Sequence, residues 1–299
     1  MIGLEITCLQ NKSSVFSLKK DGIAGKILNR KDITISILLL ALLFVVAISY
    51  PLLDFSDPNT IDLTNKNLAP SAENPLGTDY LGRDILNRLA AGTTTSLSIA
   101  AGVSAISLFV GIFIGCISGY YGGIIDETFS RIIDIFLSFP GIVFALTIMG
   151  FLGSGVINLI LALSIVHWAK YARLMRGQVL SIKENEYVLS AKIIGAGNFH
   201  IMRKHLIPNS VATVIVLATI DIGHVILSIA ALNFLGIGLP SDIPEWGAML
   251  SAGKEFMRTS PYQTIFPGMA ITMVVIIFSI IGEGLRDILD PNDTGGEYL

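Results

Sequence analysis

Two ionisable residues interrupt a long apolar stretch of the chain, Asp221 and His224. Residues three apart lie on one face of a helix, so these two side chains can pair with each other. An ionisable group within a membrane span is costly and is a functional candidate by default. The spacing leaves two interpretations, a structural pair or the lining of a substrate pathway. A metal site is disfavoured, because two ligands are too few to hold a metal ion.

The sequence does not predict nucleotide binding by this chain. The phosphate-binding pattern G-x-x-x-x-G-K-[ST] is absent, and the Gly-Lys pairs at 25–26 and 253–254 lack both the upstream glycine and the following Ser or Thr. Cys8 lies in a polar segment and Cys116 in an apolar run, which argues against a disulfide. We therefore expect no cofactor in the chain itself.

A Ser-His hydrolase within the membrane is one alternative. Ser154 has glycine on both sides and so fits a short turn, with His167 or His224 as its partner. In the predicted arrangement His167 lies most of a membrane thickness away from Ser154, and no H-E-x-x-H sequence is present for a metalloprotease. Both observations argue against a hydrolase or a metalloprotease in this chain.

The composition is that of a membrane protein. Hydrophobic residues make up 52% and charged residues 14% of the 299 residues, whereas soluble domains carry about 25% charged residues. The net charge of −3 gives no reason to expect a nucleic-acid partner. A spanning helix needs about 20 mostly apolar residues. Such runs predict an all-α chain with six transmembrane helices, at 33–53, 97–119, 135–152, 156–172, 211–235 and 264–281.

The distribution of basic residues predicts the orientation. Most of the 20 Lys and Arg residues lie before the first predicted span or between the fourth and fifth, which places both termini in the cytoplasm. The N-terminal part mixes apolar and basic positions, so residues 15–31 form either an interfacial helix or a disordered tail. The predicted organisation is a cytoplasmic N-terminal segment, a first span, an external segment, a core of five spans with a cytoplasmic loop at 173–210, and a cytoplasmic tail: 1–32, 33–53, 54–96, 97–285 and 286–299.

Several smaller features predict how the spans are placed. His167 and Trp168, near the inner end of the fourth span, are predicted to be membrane-interface anchors. Asp134 is predicted to cap the start of the third span, where a negative charge favours the helix dipole. Small residues repeat every four positions in the second span, at Ser107, Gly111, Gly115 and Gly119. Such a stripe either packs against another helix of this chain or faces a partner subunit or the pore.

The loop at 173–210 is predicted to contain a helix–turn–helix. One helical face carries Tyr187, Val188, Ala191 and Ile194. Gly195 and Gly197 permit the positive φ that ends a helix. Asn198 is then a plausible N-cap, and Pro208 marks the start of the fifth span. This loop is either a docking element for a partner or an ordinary amphipathic helix.

Three long stretches share a pattern with one family. In the loop, E-Y-V-x-x-A-x-x-x-G-A precedes I-x-x-x-H-x-x-P-N, as Glu186, Tyr187, Val188, Ala191, Gly195, Ala196, Ile201, His205, Pro208 and Asn209. The stretch 74–100 contributes Pro75, Leu76, Gly77, Thr78, Asp79, Gly82, Arg83, Asp84, Arg88, Gly92, Ser96 and Leu97. With 232–250 and 266–291, these stretches resemble the binding-protein-dependent ABC importer permeases for dipeptides, oligopeptides and nickel, specifically the C-type subunit. Departures are Ser190 for Ala, Asn74 for His and Thr94 for Arg.

The resemblance covers about residues 20–292 and implies the type I ABC importer permease fold in the cell membrane. It implies a second homologous permease, two cytoplasmic ATPase subunits that bind ATP and Mg, an external substrate-binding protein and a lipid environment. It also implies a transport subunit that is not an enzyme by itself. The helix around residues 186–195 would couple the permease to an ATPase. In that role Gly195 would set the turn and Ala191 would allow close approach, while polar contacts would come from Glu186, Arg203 and His205. The other matched loop residues are Tyr187, Ala196 and Pro208.

The sequence leaves the substrate open. The family handles peptides, nickel and nickel chelates, and its specificity lies largely in the external binding protein. We favour peptides, with nickel or a metal chelate as the alternative. An ion-coupled secondary transporter is an alternative of another class, which would need intramembrane charges in both halves of the chain. Asp221 is one such charge, and no counterpart is seen in an earlier span.

Overall fold

The computed structural model describes residues 30–52, 57–240 and 242–289, and these residues form helices and turns without a named β-strand. The first helices in chain order are α1 (Lys31–Ser49), α2 (Ile85–Tyr121), α3 (Gly123–Ser138), α4 (Gly141–Leu152) and α5 (Val156–Ile182). They are followed by α6 (Glu186–Ile193), α7 (Asn198–Ile201), α8 (Ile207–Phe234), α9 (Trp246–Gly253) and α10 (Tyr262–Leu289). The predicted all-α class is confirmed for this part of the chain.

Four helical stretches are long and apolar enough to cross a membrane, namely α1, α2, Asn198–Phe234 and α10. The pair α3 and α4 adds a fifth if it is counted as one span bent by 93°. The predicted fourth span lies within α5, which continues to Ile182 and carries charged residues in its second half. The multi-span architecture is therefore confirmed among the described residues, whereas six regular spans are not.

The predicted third span, 135–152, is wrong as a continuous helix. It is interrupted at Phe139, which has extended backbone (φ −92°, ψ 144°), and α4 begins after Pro140. The proline ring disfavours helical backbone at the residue before it, and proline has no N–H to continue the hydrogen-bond ladder. Only the first four residues of the predicted span, 135–138, belong to α3, which turns away from α4.

The small-residue stripe of α2 packs against α5 of the same chain. A Cβ added at Gly115 would lie 2.5 Å from the carbonyl oxygen of Ala172, and one at Gly111 would lie 2.5 Å from Tyr171 Cβ. Small residues let two helix backbones approach closely. The interpretation as intramolecular packing is confirmed, and this seam fixes the face of α5 that meets α2.

The first and last helices pack together. Arg30 Nη1 donates to Asp287 Oδ2 at 2.6 Å, which joins the start of α1 to the last turns of α10 at one end of the bundle. The first helix ends at Ser49, and a 3₁₀ turn follows at Tyr50–Leu52, so the helix is shorter than the predicted span 33–53. Most of the predicted interfacial segment 15–31 and the tail after 289 lie outside the described residues.

At the other end of the bundle, residues 57–84 and 242–261 form a loop-rich unit that we call the lobe. Asp79 organises it, accepting hydrogen bonds from the backbone N–H groups of Leu81 and Arg83 and from Arg83 Nε at 2.7 Å. Arg88 Nη1 reaches into it to Asn59 Oδ1 at 2.8 Å. The rings of Tyr80 and Phe256 stack at 5.5 Å and connect its two segments. The predicted external segment 54–96 therefore ends earlier as a loop, because α2 already begins at Ile85.

Candidate functional site

The segment between α5 and α8, residues 183–206, is anchored to the bundle by its base. Val188, Ile201 and Leu206 are buried and belong to one apolar cluster with Tyr171, Met175 and Val179 of α5. Tyr187 lies beside His205, with ring centroids 6.0 Å apart. The base of the 183–206 segment is thus packed against helices that run through the bundle.

A glycine turn ends the exposed helix α6. Gly195 has φ +92°, as its position after the helix predicts. Its N–H bonds to the carbonyl of Lys192 at 3.1 Å, and the Ala196 N–H bonds back to the carbonyl of Ala191 at 3.0 Å. This pair of bonds is the Schellman arrangement, which satisfies the last carbonyls of a helix. Ala191, Gly195 and Ala196 are therefore brought together as one C-terminal cap.

The predicted role of Asn198 is wrong. Gly197 occupies the N-cap position of α7, while the Asn198 side-chain oxygen accepts a hydrogen bond from the Tyr120 hydroxyl at 2.8 Å. A π-helical stretch, Met202–Leu206, separates α7 from α8. Pro208 follows this stretch as the second residue of α8, within the continuous helix Asn198–Phe234. The widened turn gives its ring room against the preceding carbonyls.

The tip of the 183–206 segment presents apolar side chains that are largely exposed among the described residues. Ile193 and Ile194 are each 85% exposed and Phe199 is 71% exposed. The predicted face of four residues is therefore divided, because Val188 is buried and Ile194 points outward. Glu186 and Arg203 are exposed as well, and neither forms an ion pair within the described part of the chain.

The second site is a buried polar cluster around Asp221. Its carboxylate accepts a hydrogen bond from the Tyr171 hydroxyl at 2.5 Å, lies 3.3 Å from His167 Nδ1 and forms an ion pair with Lys170. The Asp221 side chain is 5% exposed. All three partners come from α5, which packs against α8. The cluster thus balances the carboxylate charge with donors from a neighbouring helix.

The predicted pairing of Asp221 with His224 is wrong. Asp221 is buried against α5, whereas His224 is exposed. Two residues on one helical face do not have to pair with each other. Here a neighbouring helix supplies a cation and a hydroxyl to the Asp221 carboxylate, and these partners stabilise its charge. His167 is also not an interface anchor, since it is buried and contacts Asp221. Trp168 is likewise buried, with its ring 5.2 Å from that of Phe136.

A cavity of about 240 Å³ adjoins the Asp221 cluster at the bend between α3 and α4. Phe136 and Phe139 line it from the bend, His167 and Lys170 from α5, and Ser228 from α8. His224 lies one turn before Ser228, whose hydroxyl donates to the His224 carbonyl at 2.8 Å. Among the described residues no group of three or more His, Cys, Asp or Glu side chains could hold a metal ion.

The sequence-based predictions did not include the ion pairs that connect α5 to its neighbours. Arg176 forms two hydrogen bonds with Asp126 of α3, at 2.5 and 2.6 Å. Asp134 does not cap a helix, because it lies within α3 and pairs with Arg173. These partners are far apart in sequence, so local spacing carries no signal for them. The unusual number of charged residues in the second half of α5 was the available indication.

Comparisons with known proteins agree with this architecture. Residues 111–292 match the protein family described as binding-protein-dependent transport system inner membrane component. The chain belongs to this family. The resemblance to ABC importer permeases found in the sequence is thereby confirmed.

Individual permeases align with most of the chain. The nickel transport system permease protein NikC of Escherichia coli (strain K12) is 37% identical over 264 residues, which cover 88% of this chain and 95% of that protein. The dipeptide transport system permease protein DppC of Alkalihalophilus pseudofirmus is 41% identical, covering 86% of this chain and 84% of that one. The glutathione transport system permease protein GsiD of Pectobacterium atrosepticum is 38% identical, covering 84% and 85%.

A solved structure of a permease-containing complex has the same fold. The inward-facing MetNI methionine ABC transporter matches with a TM-score of 0.56 and 17% identity, covering 68% of this chain and 97% of that chain. At this identity the likeness concerns the fold alone. It places the permease described here in the same architectural class.

Proposed function

We propose that this permease is one of two membrane subunits of an ATP-driven importer, and that its 183–206 segment docks onto a cytoplasmic ATPase subunit. One observation carries the proposal: a capped helix whose base is buried in the bundle and whose tip exposes Ile193, Ile194 and Phe199. Exposed apolar residues next to charged ones are typical of a protein interface.

The mechanism follows from how the segment is attached. When the ATPase subunits close on ATP, they displace the tip of the segment as a rigid body. Val188 and Leu206 transmit this displacement to α5 and α8 because they are packed in the same apolar cluster. The Gly195 cap keeps the short helix from unwinding under load. The helices then rock between inward- and outward-facing arrangements, as alternating access requires.

The partner subunits supply the chemistry that this chain does not carry. ATP and Mg bind to the two ATPase subunits, since the sequence has no P-loop. The basic 183–206 segment faces the cytoplasm together with both termini, in accord with the positive-inside rule. The lobe then faces the outside, where it meets the substrate-binding protein. A second, homologous permease completes the pathway, and the chain itself binds no nucleic acid and no cofactor.

Peptides are the proposed substrates. Relatives named for dipeptide, D,D-dipeptide and glutathione transport are 38–41% identical to this chain. Nickel is the second candidate, because a relative named for nickel transport aligns with 88% of the chain at 37% identity. Buried charges around Asp221 also suit an ion-coupled secondary transporter, but the chain belongs to a family of binding-protein-dependent transport systems.

Uptake by cells decides among these candidates. The gene is deleted in its host, and labelled dipeptide and labelled nickel are followed into the same cells, with a plasmid-borne copy as the control. We expect loss of dipeptide uptake, unchanged nickel uptake and full restoration by the plasmid. Loss of nickel uptake alone would replace the peptide proposal with the nickel one. Dipeptide uptake that persists without ATP but stops with a protonophore would support an ion-coupled transporter.

A further inference from the structure

We propose that Lys170 binds the carboxylate of the transported substrate in the cavity at the α3–α4 bend. The inference deepens the proposed function and rests on it, because it assigns a substrate-contacting residue to the pathway. It also assigns a chemical class to the ligand: a molecule that carries a free carboxylate beside an apolar side chain, such as the C-terminal residue of a peptide.

The exposure of the two charged partners differs. The Lys170 side chain is 30% exposed and lines the cavity, whereas the Asp221 side chain is 5% exposed. The Lys170 side chain therefore borders the open space, whereas its carboxylate partner is buried. A lysine ammonium has three donor hydrogens. One of them is used on Asp221, which leaves two for a ligand in the cavity.

The remaining contacts of Asp221 hold this cation in place. The Tyr171 hydroxyl donates to the carboxylate at 2.5 Å, and His167 Nδ1 lies 3.3 Å from it. Asp221 thus keeps the contacts with Tyr171 and His167 when Lys170 also donates hydrogen bonds to a ligand in the cavity. His167 also lines the cavity. Lys170 and His167 thus place two nitrogen-bearing side chains at one wall of the cavity.

The other wall of the cavity is aromatic. Phe136 packs edge-on against the buried Trp168 at 5.2 Å between ring centroids, which fixes its position. Phe139 is 58% exposed at the bend. An apolar side chain next to the bound carboxylate would lie against these rings. A hydrated metal cation would instead meet an ammonium group and apolar surface, both unfavourable to it. The cavity thus separates the two candidate substrate classes.

The test uses the complete transporter in proteoliposomes, with both permeases, the ATPases and the binding protein. Two labelled probes are compared, alanyl-phenylalanine and its C-terminal amide, and the readout is the ratio of their KM values for ATP-driven uptake. The variants are Lys170→Gln, Lys170→Arg, Asp221→Asn and the double variant Lys170→Gln/Asp221→Asn. The binding protein's own preference cancels, because every variant receives both peptides from the same binding protein.

We expect Lys170→Gln and the double variant to reduce the preference for the free acid about tenfold, the size of one charge-assisted hydrogen bond. Lys170→Arg and Asp221→Asn should keep the preference, since a cation still faces the cavity. The double variant leaves no unpaired charge, so it decides the case if Lys170→Gln does not assemble. An equal loss for acid and amide, or an unchanged ratio in the double variant, would overturn the inference. Absence of ATP-driven uptake by the wild-type complex would instead overturn the proposed function.

Discussion

The lobe and the 183–206 segment both carry residues of the permease pattern, but they use them differently. In the lobe, Asp79 is buried and bonded within its own turn, and the buried Arg88 reaches into the lobe from α2 to Asn59. In the segment, the pattern residues Glu186 and Gly195 are exposed. The contrast extends to glycine. A Cβ at Gly82 would lie 1.7 Å from the Asp62 carbonyl oxygen, whereas one at Gly195 would meet nothing within 4 Å. The lobe residues build the fold, and the segment residues are free to meet a partner.

The largest loss of stability expected from this contrast is for a substitution at Gly82. Gly82→Ala combines φ +76° with a collision against backbone, which should cost about 3 kcal/mol and lower the apparent Tm of the solubilised protein by roughly 5–10 °C. Gly195→Ala has φ +92° and open space, so it should cost only the backbone strain of about 1–2 kcal/mol. Thermal unfolding of both variants measures the difference. Equal losses would remove the distinction between the two regions.

A smaller effect on stability is expected from the buried carboxylate of Glu245 in the lobe. Glu245 is 2% exposed and accepts hydrogen bonds from Asn233 at 2.8 Å, Ala248 N–H at 2.9 Å and Ser96 at 3.1 Å. Burial raises the pKa of the Glu245 carboxyl above its ordinary value. The folded state therefore favours the protonated form, and this contribution to stability is full below the ordinary pKa and is lost as the pH rises through the raised one.

Glu245→Gln should remove this pH dependence at a cost of about 1 kcal/mol or less, since an amide can keep most of these bonds. The measurement is the apparent Tm of the variant relative to wild type at pH 5 and pH 8. The variant should gain on wild type as the pH rises. Glu255→Gln, at an exposed position of the same lobe, is the matched control. A constant difference between wild type and Glu245→Gln at both pH values would contradict the prediction.

Local pattern predicted some of this structure and missed the rest for identifiable reasons. The positive φ of Gly195 was predicted from its place after a helical stretch. Pro140 also indicated a helix break, but the apolar composition of residues 135–152 favoured one continuous span instead. The partners of Asp221 were not available, because Lys170 and Tyr171 lie on another helix. Spacing along one helix favoured His224 instead. Contacts between distant helices depend on how the bundle packs, which local spacing does not determine.

The pattern residues of the lobe show a second limit. The sequence identified Thr78, Asp79 and Asp84 as members of a family pattern without indicating what they do. In the structure Asp84 caps α2 by accepting from the Asn87 N–H at 2.7 Å, and Thr78 pairs with Asp84 in an isolated bridge. Such roles depend on turn geometry, which a pattern of residue types does not contain.

The most direct test of the docking proposal is the amount of ATPase subunit retained on the affinity-purified permease pair. Ile193→Asp/Ile194→Asp places charges at the exposed tip of the segment, and Ile61→Asp, at a position 58% exposed in the lobe, is the control. We expect the tip variant to retain less than about one tenth of the wild-type ATPase, the loss expected when a charge replaces an apolar contact at an interface. The lobe variant should retain all of it. Equal retention by the tip variant and wild type would contradict the account.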